Sequence, residues 1–168
     1  TPRGTDIRFG LSAIRNVGTN VVASIVQTRT TKGRFADFPD YLKKVEAVAV
    51  NKKTVESLIK AGAFDSLGHD RKGLHLVHAE AIDACLETKK AEAIGQYDLF
   101  GGGGDDEESG SDLFEVRIPT GEWDKAVLLA YEREMLGLYV SDHPLYGVEH
   151  VLAAAVDCPV SALADKDD

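Results

Sequence analysis

Cysteine is scarce in this chain of 168 residues, and the two present, Cys85 and Cys158, stand far apart. Such spacing gives neither the close pairs of a zinc knuckle nor the density of a secreted disulfide scaffold, so both are expected as reduced core thiols. No stretch approaches the ~20 consecutive apolar residues of a membrane span, and Thr1-Pro2-Arg3-Gly4-Thr5-Asp6 lacks the apolar core of a signal peptide. A soluble, cytoplasmic setting without membrane contact is expected. The sequence also lacks a Gly-rich phosphate loop, the spacing of a catalytic triad and a strand-borne pair of aspartates, so no catalytic centre and no cofactor are expected. There is no initiator methionine, and Asp165-Lys166-Asp167-Asp168 closes no obvious element, as expected of a segment of a longer chain. What is present is 43% hydrophobic, enough for the core of one or two small domains.

Acidic residues outnumber basic ones, for a formal charge of −9, but the average conceals a division along the chain. Residues 1–65 hold 11 Lys and Arg against 6 Asp and Glu, a net of +5, whereas residues 66–168 hold 8 against 22, a net of −14. Asymmetry of this kind marks a part that meets a polyanion and a part that does not.

Apolar spacing predicts an all-α fold. A short helix over about 7–14 is followed by a break at Asn16-Val17-Gly18 and a longer helix to about residue 30, capped by Thr19 or Asn20. Phe35-Ala36-Asp37-Phe38-Pro39 reads as a connection before a turn or two around Tyr41, Leu42 and Val45. Asn51 caps a helix over 52–60 that Gly62 interrupts. Leu74, Val77, Ala81, Ile82, Cys85 and Leu86 trace one stripe of a long helix over 71–93. Residues 95–121 hold the glycine run Gly101–Gly104 and the acidic stretch Asp105–Asp112, a composition expected of a flexible linker spanning roughly 30 Å. Val127, Leu128, Tyr131, Met135 and Leu138 mark a further helix ended by Ser141-Asp142-His143-Pro144, and a last one covers 148–156. The expected organisation is an ordered module over 1–93, a linker over 94–121 and a helical segment over 122–168.

Ser12-Ala13-Ile14-Arg15-Asn16-Val17-Gly18 can be laid over Ser57-Leu58-Ile59-Lys60-Ala61-Gly62. Each places a basic residue where a helix dipole favours a cation, then a glycine for the turn. The helix that follows starts with unpaired amides, a ready site for a phosphate oxygen. Two such turns, with Lys52, Lys53, Lys32 and Arg34 nearby, would fix a duplex by its backbone while reading no bases. An ordinary corner of a compact helical domain has the same ingredients.

The run Phe9 to Gly18, with Val50-Asn51-Lys52-Lys53 and Leu58 to Gly68, resembles the tandem helix-hairpin-helix region of bacterial replicative polymerases, the DNA polymerase III alpha subunits. Tyr131-Glu132-Arg133-Glu134-Met135-Leu136-Gly137-Leu138-Tyr139-Val140-Ser141-Asp142-His143-Pro144-Leu145 is similar to a signature of that family just before its oligonucleotide-binding domain. The resemblance implies that the hairpins hold the backbone of double-stranded DNA behind the polymerase site. By that analogy the contacts are Arg15, Asn16, Val17, Gly18, Thr19 and Asn20 in the first hairpin, Lys60, Gly62, Ala63 and Phe64 in the second, and Lys52 and Lys53 between them. Other domains of the polymerase are the implied neighbours.

Gln96-Tyr97-Asp98-Leu99-Phe100 puts an apolar pair in a polar setting, which is unfavourable unless a partner buries it. It resembles the pentapeptide with which such proteins bind the sliding clamp, the beta subunit, with Tyr97 in place of the commonest second residue. Leu99 and Phe100 would fill an apolar cleft, Gln96 would supply amide hydrogen bonds and Asp98 would shape the turn.

Other groupings carry less. His69, His75 and His78 with Asp70 lack a convincing fourth ligand and are expected as surface histidines rather than a metal site. His143 and His150 with Asp142 invite a similar guess, but Asp142-His143-Pro144 is better explained as a helix stop, and Asp105–Glu108 by solvation. Two other readings remain: a protein-interaction scaffold between domains that never touches DNA, and a free-standing repair protein. The latter explains neither the pentapeptide nor the signature.

Overall fold

The computed structural model describes residues 9–93 and 116–158, and every regular element among them is helical. In chain order these are a 3₁₀ turn at Leu11–Ala13, α1 (Thr19–Thr31), α2 (Phe38–Lys44), a 3₁₀ turn at Ala47–Ala49, α3 (Lys52–Lys60), a 3₁₀ turn at Asp65–Leu67, α4 (Arg71–Ala93), α5 (Lys125–Leu136) and α6 (Glu149–Ala155). The all-α expectation holds. The pentapeptide Gln96–Phe100, the glycine run and the acidic stretch lie outside the described residues.

Local chemistry explains most boundaries. Asn51 caps α3 by accepting from the Lys53 and Thr54 amides at 3.0 and 3.3 Å. Asp37 does the same for α2, accepting from Asp40 at 2.7 Å, so α2 begins inside the stretch expected to be a connection. Pro39 sits in its first turn, where a missing N–H costs nothing. At the far end, α5 is stopped by Gly137 at φ +78°, whose amide donates to the Arg133 carbonyl at 2.9 Å. The stop is therefore this left-handed cap, and Pro144 lies beyond it. The first hairpin opens with a single 3₁₀ turn rather than a full helix over its described residues.

Phe38, Tyr41, Leu42, Val45, Val55, Leu58, Ile59, Leu74 and Ile82 form the centre of one apolar core. Of the stripe read on α4, Leu74, Ala81, Ile82 and Cys85 are buried and Leu86 packs beside them. Burial of this kind, at roughly 1.5–3 kcal/mol for each large side chain, holds helices that are too short to persist alone.

The signature helix joins the same body. Met135 of α5 enters the core, and its carbonyl accepts from the Arg15 amide at 2.9 Å. Residues 116–122 lie along the start of α4. Val116 and Ile118 pack on the core, and Glu122 accepts from the Arg71 and Lys72 amides at 2.7 and 3.0 Å. A Cβ at Gly73 would lie 2.1 Å from the Pro119 carbonyl oxygen, so this helical glycine lets the returning chain approach. The last residues expected in the linker, 116–121, thus belong to the packed body.

Gly62 carries a second steric requirement. It sits at φ +76° as the left-handed residue after α3, and a Cβ there would fall 2.2 Å from an Arg71 guanidinium nitrogen. That guanidinium pairs with Asp65 at 2.6 Å and with Glu132 of α5 at 2.9 Å. Gly62→Ala is expected to lower stability by at least about 1–2 kcal/mol from the backbone alone, measured as a shift of the denaturation midpoint. Displacement of Arg71 should add to this.

Candidate nucleic-acid interface

The first hairpin leaves the N-terminus of α1 open. Gly18 is its N-cap, and no side chain caps it. Neither Thr19 nor Asn20 takes that place, as the sequence suggested they would; both fall within the helix. The amides of Gly18, Thr19 and Asn20 have no acceptor among the described residues, and all three residues are exposed. By contrast α2 and α3 each carry a side-chain cap.

Gly18 is not there for its turn. Its φ of −74° and ψ of 155° suit any residue, and a Cβ would meet nothing nearer than Asn20 Oδ1 at 3.7 Å. The residue that takes the left-handed conformation is Asn16, at φ +65°. Aligned on backbone, Asn16 therefore corresponds to Gly62, and Gly18 to Phe64. The lack of a side chain at Gly18 instead leaves the α1 amides accessible to a bulky group.

Asn16 turns inward. Its Nδ2 donates to Ser57 Oγ at 3.1 Å and its carbonyl accepts from Thr54 Oγ1 at 3.2 Å. These bonds set the first turn of α3 against the first hairpin. The Arg15 and Lys53 side chains are exposed, and neither has an ion-pair partner among the described residues. Lys52 is also exposed but pairs with Asp83 at 2.7 Å. Val17 is buried and its amide donates to Ile14.

The second hairpin differs in chemistry. The Gly62 amide donates to the Ile59 carbonyl and the Ala63 amide to the Leu58 carbonyl, at 3.0 and 2.9 Å, which closes the end of α3 in a Schellman arrangement. Those amides are spent and cannot face a phosphate. Phe64 buries its ring against Phe38 and Tyr41, and only the three-residue turn Asp65–Leu67 follows rather than a helix. Lys60 pairs with Glu56 at 2.7 Å and lies 4.8 Å over the Tyr131 ring, so it joins α3 to α5. Of the proposed contacts, Arg15, Gly18, Thr19, Asn20 and Lys53 are exposed. Val17, Lys60, Gly62, Ala63 and the Phe64 ring are engaged in internal structure, and Asn16, though exposed, is tied to α3.

The histidines are not a surface set either. His75 packs between His78 at 5.4 Å and Trp123 at 5.2 Å, beside Tyr131, and His78 is buried. Burial, with His78 beside it, holds the His75 imidazole below its ordinary range. Among the described residues no group of acidic, histidine or cysteine side chains is placed to hold a metal ion. Likewise, no described helix is long and apolar enough to cross a membrane.

Sequence reasoning missed the Asp65–Arg71–Glu132 cluster. Glu132 is 1% exposed, and its carboxylate also accepts from the Val140 and Ser141 amides at 3.0 Å each. A charged residue on the core-facing side of a helix was the available signal.

Comparison with known proteins follows the same outline. The helix-hairpin-helix motif family matches residues 1–74. The chain is 60% identical over 164 residues, 98% of its length, to DNA polymerase III subunit alpha of Mycobacterium tuberculosis (strain CDC 1551 / Oshkosh). It is 61% identical over 163 residues, 96% of its length, to the subunit of Mycobacterium leprae. To that of Escherichia coli (strain K12) it is 35% identical over 140 residues, 83% of its length. It spans 14% of each mycobacterial relative and 12% of the Escherichia coli one.

Proposed function

Because the chain belongs to the DNA polymerase III alpha subunit family over the segment it spans, we propose that it holds the backbone of duplex DNA and tethers a polymerase to its sliding clamp. The observation that carries the first part is the uncapped, exposed start of α1 at Gly18, Thr19 and Asn20, with Arg15 and Lys53 also exposed. Free amides and unpaired cations together bind phosphate oxygens and read no base. The clamp part rests on Gln96–Phe100 and its likeness to clamp-binding peptides. Nucleotidyl transfer requires carboxylates holding two metal ions; we assign that chemistry, and a cytoplasmic role in replication, to the longer protein. This segment then needs no cofactor.

Gly18→Val tests the reading in the full polymerase. The backbone at Gly18 tolerates valine, so the fold should survive while the side chain blocks the amides. Duplex affinity is expected to fall about tenfold, or about 1.4 kcal/mol, in line with loss of one hydrogen bond to a charged group. Affinity should also fall as salt rises, since phosphate binding releases counterions. Unchanged affinity with an unchanged melting midpoint would favour the scaffold reading, which draws on the internal ties of Lys60 and Asn16.

A further inference from the structure

We propose that the groove between the C-terminal end of α1 and the second hairpin docks an acidic peptide that presents a large aliphatic or aromatic side chain. The groove has a volume of about 410 Å³, with Leu11, Ile25, Phe35 and Leu67 among the side chains of its apolar wall. Arg29, in the last turn of α1, and Arg34, just beyond it, stand on its rim. Both are exposed, and neither guanidinium has a partner among the described residues.

An apolar floor below two unpaired cations matches a ligand with an apolar anchor and carboxylates beside it. Guanidinium groups bind carboxylates in paired hydrogen bonds, while the floor excludes water from the anchor. A nucleic-acid strand fits less well. Tyr41 and Phe64 are buried and locked edge to face at 4.9 Å, and the half-buried Phe35 ring already meets Tyr41 edge to face at 5.2 Å, which leaves little aromatic face for a base to stack on. The groove is also separate from the proposed phosphate site, because Arg29 stands roughly 16 Å along α1 from Gly18 at 1.5 Å per residue.

Fluorescence anisotropy with a labelled hexapeptide, Glu-Glu-Leu-Phe-Glu-Glu, tests the proposal on the full chain. Saturable binding is expected, weakened at least about tenfold by the surface double substitution Arg29→Glu with Arg34→Glu. A probe with Ser-Ser in place of Leu-Phe should bind as weakly. Equal affinity for the parent and the double variant would overturn the proposal. So would probe binding that appears only after Leu113→Ser with Phe114→Ser, which would make the chain's own Asp112-Leu113-Phe114-Glu115 the occupant. Loss of duplex affinity with unchanged probe affinity in the double variant would make the rim a nucleic-acid surface instead.

Discussion

Glu132→Ala is expected to destabilise the protein by roughly 3–5 kcal/mol, because it removes one partner of a buried ion pair and leaves the other uncompensated. Arg71 would lose its bond to Glu132 Oε1 at 2.9 Å and retain only the half-exposed Asp65. The Val140 and Ser141 amides would lose their shared acceptor as well. Chemical denaturation measures the effect directly. A loss below about 1 kcal/mol, the range of a surface pair, would show that the cluster does not join α5 to the second hairpin.

The same group sets an acid limit. Burial alone would raise the Glu132 carboxyl, but the Ser141 and Val140 amides and Arg71 more than offset it and hold it below the ordinary carboxylate range. A depressed folded value stabilises the fold above the unfolded value, about 4.3 for glutamate, and that stability is lost as pH falls through the folded one. Stability measured from pH 6 downward should therefore drop more steeply in the parent than in Glu132→Gln. Parallel curves would remove Glu132 from the acid transition.

Leu99→Ala with Phe100→Ala is expected to abolish binding to the cognate sliding clamp. Burying two such side chains is worth roughly 1.5–3 kcal/mol each, so their removal should cost at least about a hundredfold in affinity at 1.4 kcal/mol per tenfold. Surface plasmon resonance against immobilised clamp would read this, with duplex binding as the control that should not move. Affinity within about threefold of the parent would remove the clamp from the proposed function.

The signature from Tyr131 to Leu145 carries its resemblance in sequence, yet its physical role is clear only in the fold. There Met135 fills the core, the Met135 carbonyl receives the Arg15 amide, and Glu132 receives Arg71. Local interactions let α3 and α4 be read in advance, since Asn51 caps its own next turns and the α4 stripe repeats within one element. The Ser-x-Ile repeat was equally visible, but it predicted two alike hairpins where there is one open helix start and one closed end.

On α5 the buried residues are Leu129, Glu132 and Met135, while Val127 and Leu138 of the expected stripe are exposed. By itself, then, the sequence determined the helical class, the α4 stripe, the Asn51 cap and the family of the chain. Those follow from short-range chemistry, in which each residue meets neighbours a turn away. Only the tertiary structure decided which amides at the hairpins are free, because Gly62 and Ala63 spend theirs closing α3 while Gly18, Thr19 and Asn20 keep theirs. It also decided which cations face solvent. Lys60 is held by Glu56 and Tyr131, and Arg15 and Lys53 are left exposed, as partners far apart along the chain are brought together or kept away by packing.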